Sequence, residues 1–167
     1  MNLTYKLKFP DGKRTLFKEK LIKAAMIGEI PSPEIEVSHV EFEAIKQMAV
    51  NPKLHTIRAD EKDRWRADML IHHVYNQRTG TRDNFLCSHC VSTQSIMIIE
   101  TPKVSLEEGN DKVNGRMRSI LVDGKFLKPP KMEELALNDG FNSLEHFFTW
   151  FPLNYSGKII HFTKLRY

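Results

Sequence analysis

Three side chains with different chemistries lie close together in the first half of the chain: Lys53, Thr56 and Arg58. If residues 54–58 form a β-strand, Thr56 and Arg58 point to the same face, because alternate side chains of a strand share a face. Lys53 then stands at the entrance of that strand. An ammonium, a hydroxyl and a guanidinium that lie close together can bind a phosphate or the polar edge of a base. The alternative is a solvated strand end that carries ordinary surface charge.

An aspartate much further along the chain could complete such a site. Asp139 precedes Gly140 between two predicted helices, where its carboxylate could accept a hydrogen bond from a base amine or orient a catalytic group. The same position suits a helix cap or turn, which is a common role for Asp before Gly. Arg64 and Trp65 follow the predicted strand and could lie near the rim of a pocket. Trp150 lies off an apolar helix stripe, where it could stack on a base or pack against the core.

The two cysteines, Cys87 and Cys90, have the Cys-x-x-Cys spacing with which two thiolates can reach one zinc ion. A complete tetrahedral site needs four ligands, and no second cysteine pair exists. The missing ligands would have to come from His72, His73 or His89. The alternative is a pair of reduced, partly buried cysteines beside a strand. Both interpretations stay open, and the site predicted above needs no metal and no cofactor.

Composition limits the classes of protein to which the chain can belong. The 167 residues include 41% hydrophobic and 28% charged side chains, which is typical of one globular domain. The 25 basic and 21 acidic residues give a net charge of +4, which permits an anionic partner without requiring one. The longest aliphatic run, residues 96–99, is far shorter than the ~20 residues that span a bilayer. Because two cysteines are too few for a disulfide-dense secreted scaffold, we expect a cytoplasmic protein with no membrane partner.

The elements that must position these residues follow from hydrophobic periodicity and turn signals. Strands are predicted over residues 3–9, 54–58, 69–75, 91–100 and 158–162. Helices are predicted over residues 15–27, 40–50, 131–137 and 144–151, the last with Asn142 as its cap. Residues 111–114 are predicted to form a polar loop, and residues 118–127 a hairpin around Asp123 and Gly124. This order of elements indicates a mixed α+β protein with a small, mostly antiparallel sheet or barrel.

Four segments together resemble the motifs of ASCH domains, which belong to the PUA-like superfamily of small β-barrels. They are residues 53–60 with Arg64 and Trp65, residues 91–96, residues 139–148 and residues 157–167. The last segment resembles the end of ASCH-like proteins that are common in bacteriophages and prophages. The resemblance implies a single domain over residues 1–167, with a PUA-like, mostly antiparallel β-barrel and flanking helices. Residues 53–167 would form the barrel core, and residues 1–52 an N-terminal strand and helical insertion.

The resemblance also implies a function. The superfamily suggests RNA or a modified nucleoside as the partner, and one bacterial ASCH branch hydrolyses the acetyl amide of N4-acetylcytidine. That branch uses a Lys, a Thr three residues later and a Glu just before the final helix. Lys53 and Thr56 match this residue type and spacing, and Asp139 stands where the Glu would be. The Gly-Arg-Lys-Thr context of the family is replaced here by residues 51–54, Asn-Pro-Lys-Leu.

We accordingly predict a pocket lined by Lys53, Thr56, Arg58 and Asp139, with Arg64 and Trp65 near its rim. Three functions are compatible with it: binding of RNA or a nucleoside, amide hydrolysis of N4-acetylcytidine, and a phage accessory role that acts through protein partners. For hydrolysis, the Thr56 hydroxyl would need a neighbouring base. Lys53 could be that base if desolvation lowered its pKa, Asp139 could position it, and Arg58 could bind an oxyanion.

Overall fold

The structure is a computed structural model that describes residues 1–107 and 110–167, and within residues 102–107 and 110–116 it describes the backbone alone. In chain order the described strands are β1 (Asn2–Thr4), β2 (Glu34–Ile35), β3 (His55–Arg58), β4 (Leu70–Tyr75), β5 (Asp83–His89), β6 (Ser92–Glu107), β7 (Asn110–Val122), β8 (Lys125–Phe126) and β9 (Tyr155–His161). The described helices are α1 (Phe17–Met26), α2 (His39–Gln47), α3 (Pro129–Asn138) and α4 (Leu144–Trp150). The α+β class predicted from the sequence is confirmed.

The first sheet has the strand order β1-β4-β5-β2, in which β1 runs parallel to β4 and the other pairs are antiparallel. A register shift between His73 and Val74 interrupts the pairing of β4 with β5. Such a bulge changes the alternation of side chains along a strand. The extra residue lies on β5, where Phe85 falls between the partners of His73 and Val74, and the consecutive residues Phe85 and Leu86 are both fully buried.

The second sheet has the strand order β3-β9-β6-β7-β8 and is antiparallel throughout. The turn between β7 and β8 is formed by Asp123 and Gly124, whose φ angles of 48° and 76° are those of the predicted hairpin turn. The mostly antiparallel arrangement is thus confirmed. In the part of the chain that the structure describes neither sheet closes on itself, so the PUA-like barrel stays a prediction.

The helices cover the sheets with aromatic and aliphatic side chains. Phe147 on α4 has no exposed surface, and Phe17 at the start of α1 is 5% exposed. Phe141, between α3 and α4, packs edge-on against both rings, at centroid distances of 5.3 Å and 6.1 Å. This aromatic cluster fixes α4 against α1 and therefore fixes Trp150, the last residue of α4. None of the described helices combines the length and the apolar character that a membrane span would need.

Three local predictions are wrong. The strand predicted over residues 3–9 is limited to β1, which ends at Thr4. Residues 111–114 belong to β7, and residues 111–113 pair with β6, because backbone hydrogen bonds alone can extend a two-stranded ladder. The cap of α4 is Ser143, whose hydroxyl accepts a hydrogen bond from the backbone N–H of His146 at 3.1 Å. Asn142 lies one residue too early for that geometry, since a cap accepts from the second or third helical residue.

Candidate functional site

The structure brings Lys53 and Asp139 together, although 86 positions separate them in the sequence. The Lys53 Nζ donates to the carboxylate Oδ1 of Asp139 and also to its backbone oxygen. Both residues are buried, with 1% and 3% of their surfaces exposed. Their functional roles remain predictions, but their contact creates a buried ion pair between the entrance of β3 and the end of α3.

Backbone hydrogen bonds on both sides hold this pair in place. The N–H of Leu54 donates to the carbonyl of Asn138 at 2.8 Å, which ties the start of β3 to the last residue of α3. A second buried ammonium, that of Lys20 on α1, donates to the carbonyl of Gly140 at 2.5 Å. Lys53 and Lys20 therefore both donate to carbonyls just beyond the C-terminus of α3, where positive charge is favourable.

Burial controls the ionisation of both partners. Desolvation lowers the pKa of Lys53 to about 8, and the nearby Asp139 carboxylate opposes this shift. Desolvation raises the pKa of Asp139, while Lys53, Arg58 and the backbone N–H of Ile57 act to lower it. At neutral pH the ammonium therefore keeps its proton. A lysine with a pKa near 8 is closer to the range of a general base than an ordinary surface lysine is.

Arg58 lies at the far end of β3 and is half-buried. Its guanidinium donates to the carbonyl of Thr4 at 2.8 Å and lies 5.3 Å from the centroid of the Tyr5 ring. Thr56 is 2% exposed and pairs with Ile160 of β9. Arg58 therefore faces an open surface, whereas Thr56 is enclosed.

That open surface is a cleft of about 550 Å³, which we call the cationic cleft. It is lined by Thr4, Lys6, Lys8, Phe9, Pro10, Phe17, Arg58 and Trp150. Three of these residues are cations, three are aromatic, and none of the lining residues that the structure describes carries a carboxylate. The Lys6 Nζ lies 5.3 Å from the centroid of the Trp150 ring, so cation and aromatic face are neighbours. Such a cleft suits an anion attached to a planar ring.

The inward positions of two aromatic residues near the N-terminus explain why two lysines reach this cleft, although Leu7, which strict alternation would bury, is 49% exposed. Tyr5 and Phe9 turn into the core, where each is 4% exposed. Thr4, Lys6 and Lys8 occupy the intervening positions and line the cleft. Sequence reasoning used only the apolar half of this pattern to predict a strand, and so it missed both lysines as site residues.

Phe17 connects the cationic cleft with the buried pair. Its ring lines the cleft, and its centroid lies 4.7 Å from the Lys53 Nζ. Gly140 has a positive φ of 91°, and a Cβ there would lie 3.0 Å from the Phe17 ring. Lys53 and Asp139 are not among the residues that line the cleft. Of the four residues predicted to line one pocket, Arg58 alone does so.

Arg64 and Trp65, the predicted rim, belong to a different cluster. Their backbone N–H groups both donate to the Asp60 carboxylate at 3.0 Å, and the Lys158 ammonium donates to the carbonyl of Trp65 at 3.2 Å. The Trp65 side chain is 4% exposed and packs in the core, while Arg64 is exposed. Neither residue lines the cationic cleft.

A buried hydrogen-bonded chain that the sequence did not reveal runs behind the cleft. The Tyr5 hydroxyl lies 2.9 Å from His73 Nδ1, and His73 Nε2 lies 2.8 Å from the Ser88 hydroxyl. Burial lowers the pKa of His73 to about 3, and the charges of Lys53 and Arg58 add to this effect. The ring is therefore neutral and accepts at one nitrogen while it donates at the other. His73, a candidate metal ligand in the sequence, is engaged in this chain.

The two cysteines are free thiols. Cys87 Sγ lies 3.2 Å from His72 Nδ1 and donates to the Glu36 carboxylate at 3.5 Å, while Cys90 donates to the carbonyl of Ser92. Burial raises the pKa of both thiols, that of Cys90 to about 11. Among residues 1–101 and 117–167, whose side chains the structure describes, no group of three or more His, Cys, Asp or Glu side chains is arranged to hold a metal ion.

Comparison of the chain with protein-family models, with characterised proteins and with solved structures finds no match. A function for this chain therefore has to be argued from its own residues and their geometry.

Proposed function

We propose that this protein is an ASCH-like, PUA-like protein that binds RNA or a modified nucleoside in the cationic cleft. The observation that carries the proposal is the composition of the cleft wall. It contains Lys6, Lys8 and Arg58 together with three aromatic rings, and no carboxylate among the described lining residues. Phosphate groups bind lysine and arginine, and bases stack on aromatic side chains. The ordered set of ASCH-like motifs in the sequence points to the same class of ligand.

The cleft supplies both kinds of contact in a preorganised form. Arg58 is held by the Thr4 carbonyl and the Tyr5 ring, so its remaining donors are fixed in direction before a ligand arrives. Trp150 is held by the Phe9 ring, which it meets edge-on at 5.5 Å between centroids. A rigid guanidinium and a rigid indole lose little entropy on binding. A planar base with an attached phosphate therefore matches this wall better than a flexible acidic peptide does.

The test is the binding of a short, fluorescently labelled single-stranded RNA at several salt concentrations. We expect affinity to fall as salt rises, with a slope of about −0.7 in log K against log salt for each phosphate neutralised. Lys8→Gln should weaken binding and reduce that slope. Lys125→Gln removes an exposed lysine of β8 that does not line the cleft, and it should change neither. Equal losses in the two variants, or no binding by the native protein, would reject the proposal.

Amide hydrolysis of N4-acetylcytidine is a second candidate function, and the buried pair favours it. In its neutral amine form, which predominates above its pKa of about 8, Lys53 would take the proton of the Thr56 hydroxyl as that oxygen attacks the acetyl carbon, and would return this proton to the N4 nitrogen as it leaves. The C–N bond would break to release cytidine, and water would then release acetate from Thr56. Because Phe17 separates Lys53 from the cleft, its ring would have to turn aside for the substrate to reach the lysine.

This second candidate is tested by incubating the protein with N4-acetylcytidine and separating the products by chromatography. We expect cytidine to form with the native protein and not with Thr56→Val, which keeps the volume of the side chain and removes the hydroxyl. Circular dichroism should show that the variant is folded. The absence of turnover in the native protein, or equal turnover in Thr56→Val, would exclude this activity and leave the binding proposal intact.

A further inference from the structure

The charge in the cationic cleft exceeds what one internal RNA phosphate requires. Three cations, Lys6, Lys8 and Arg58, line a space of about 550 Å³. An internal phosphodiester carries a single negative charge, whereas a phosphomonoester carries roughly −1.5 to −2 at neutral pH. Building on the binding function proposed above, we propose that the cleft recognises the terminal phosphate of a nucleotide, together with the base next to it.

Two of the three cations are unmatched by acidic side chains. Lys6 and Lys8 form no ion pair with any carboxylate that the structure describes, although Lys6 lies over the Trp150 ring. Lys18, by contrast, lies 2.8 Å from the carboxylates of both Glu41 and Asp83. Other exposed lysines such as Lys125 also lack a carboxylate partner among the described residues, so the cleft is distinguished by the convergence of its three cations with three aromatic rings.

Arg58 also keeps free hydrogen-bond donors. It uses one terminal nitrogen for the Thr4 carbonyl at 2.8 Å and the other for the Ile57 carbonyl at 3.4 Å. A guanidinium has five N–H donors, so donors remain for the oxygens of a phosphate. A terminal phosphate offers three such oxygens to the surrounding cations.

The size of the cleft limits the ligand to a short unit. About 550 Å³ falls within the roughly 300–1,000 Å³ that is typical of small-molecule pockets. Lys6 and Trp150 lie side by side, so one nucleotide can place its phosphate on the cations and its base on the indole. An internal nucleotide of an RNA would require the RNA backbone to leave the cleft in both directions, whereas a terminal nucleotide requires it to leave in one direction only.

Two sources could supply this chemistry: a free nucleoside monophosphate and the phosphorylated end of an RNA. Binding is therefore measured for cytidine, cytidine 5′-monophosphate, and one short oligonucleotide with a 5′-phosphate, a 3′-phosphate or hydroxyl ends. We expect a phosphorylated end to bind about tenfold or more tightly than the hydroxyl-ended form, as one lost hydrogen bond to a charged group would predict. If the free nucleotide is the ligand, the monophosphate should bind as tightly as the phosphorylated oligonucleotide.

The variants separate this inference from the binding proposal on which it rests. Lys6→Gln and Lys8→Gln should each reduce the preference for a phosphorylated end, while Lys125→Gln should retain it. The preference should also grow between pH 5 and pH 7, because the phosphate gains its second charge near pH 6. Equal binding of phosphorylated and hydroxyl-ended RNA would overturn this inference and leave RNA binding standing. No binding of any of the five ligands would overturn both.

Discussion

The cationic cleft and the buried pair lie on two sides of Phe17, yet they treat charge in opposite ways. In the buried pair, the Lys53 ammonium is matched by two oxygens of Asp139. In the cleft, Lys6 and Lys8 face solvent beside aromatic rings, without an acidic side chain among the lining residues described. Buried charges must be compensated within the fold, whereas exposed cations are free to meet a ligand. Charge compensation therefore separates residues that hold the structure from residues that can bind.

This contrast gives Lys53 a structural role that does not depend on catalysis. Its ammonium donates to the backbone oxygen of Asp139, the residue that follows α3, and Lys20 on α1 donates to the next carbonyl. Together they compensate the partial negative charge at the helix C-terminus. A lysine chosen from the sequence as a catalytic base thus also joins α1, β3 and α3.

The largest expected effect follows from removing one partner of the buried pair. Asp139→Ala leaves the Lys53 ammonium buried without its carboxylate and should lower the free energy of unfolding by about 3–5 kcal/mol. The double variant Lys53→Met with Asp139→Ala removes both charges and should recover much of that loss. Urea unfolding followed by circular dichroism measures both values.

The matched control is an ion pair on the surface. Glu43 lies 3.4 Å from Lys46 on α2, with both side chains largely exposed. Exposed pairs of this kind contribute about 0–1 kcal/mol, so Glu43→Ala should have little effect. If Asp139→Ala were no more destabilising than Glu43→Ala, the contrast between compensated and free charge would be wrong.

Periodicity predicted the elements that carry the buried pair. The apolar spacing gave the position of α3, and the strand alternation gave β3, within two residues at each end. Asp139 follows α3 and Lys53 precedes β3, so the pair lies where two well-predicted boundaries meet. The family resemblance alone predicted that Lys53 and Asp139 lie close together, because no local sequence pattern encodes a contact between residues 86 positions apart.

The two tryptophans show where sequence reasoning fails. Trp65 follows the predicted strand in a basic context, which predicts a place at the pocket rim, yet its side chain is only 4% exposed. Trp150 was noted as lying off the apolar stripe of its helix, and it lines the cationic cleft. The spacing of apolar residues along a helix predicts which of its side chains are buried. The burial of a loop residue depends instead on contacts with distant parts of the chain. The same reason explains why Lys6 and Lys8 were missed.

A smaller effect should appear as a pH dependence of stability. His161 has no exposed surface, and burial lowers its pKa to about 4, with the Arg166 charge adding to this shift and Asp123 opposing it. The unfolded chain takes up a proton near pH 6.5, but the folded protein does not until about pH 4. Acid therefore favours unfolding, and stability should fall across that window by about 3 kcal/mol for this residue.

The variant His161→Gln removes this titration and should flatten the slope of stability against pH by about 1.4 kcal/mol per pH unit. Urea midpoints measured between pH 7 and pH 4 give the slope for both proteins. His55 and His73 are also buried with lowered pKa values, so part of the pH dependence should persist. An unchanged slope in the variant would show that folding does not lower the pKa of His161.

The smallest expected effect on stability is also the sharpest test of the comparison. Lys8 is exposed and has no carboxylate partner among the residues described, so Lys8→Gln should change the free energy of unfolding by less than about 0.5 kcal/mol. It could even stabilise the fold slightly, because Lys6 and Arg58 line the same cleft and repel it. The measurement is urea unfolding at low and high salt, since screening should remove any such gain. A decrease of more than about 1–2 kcal/mol in the free energy of unfolding would show that Lys8 supports the fold, as Lys53 does. Lys8 would then not be a cation that is free to bind a ligand.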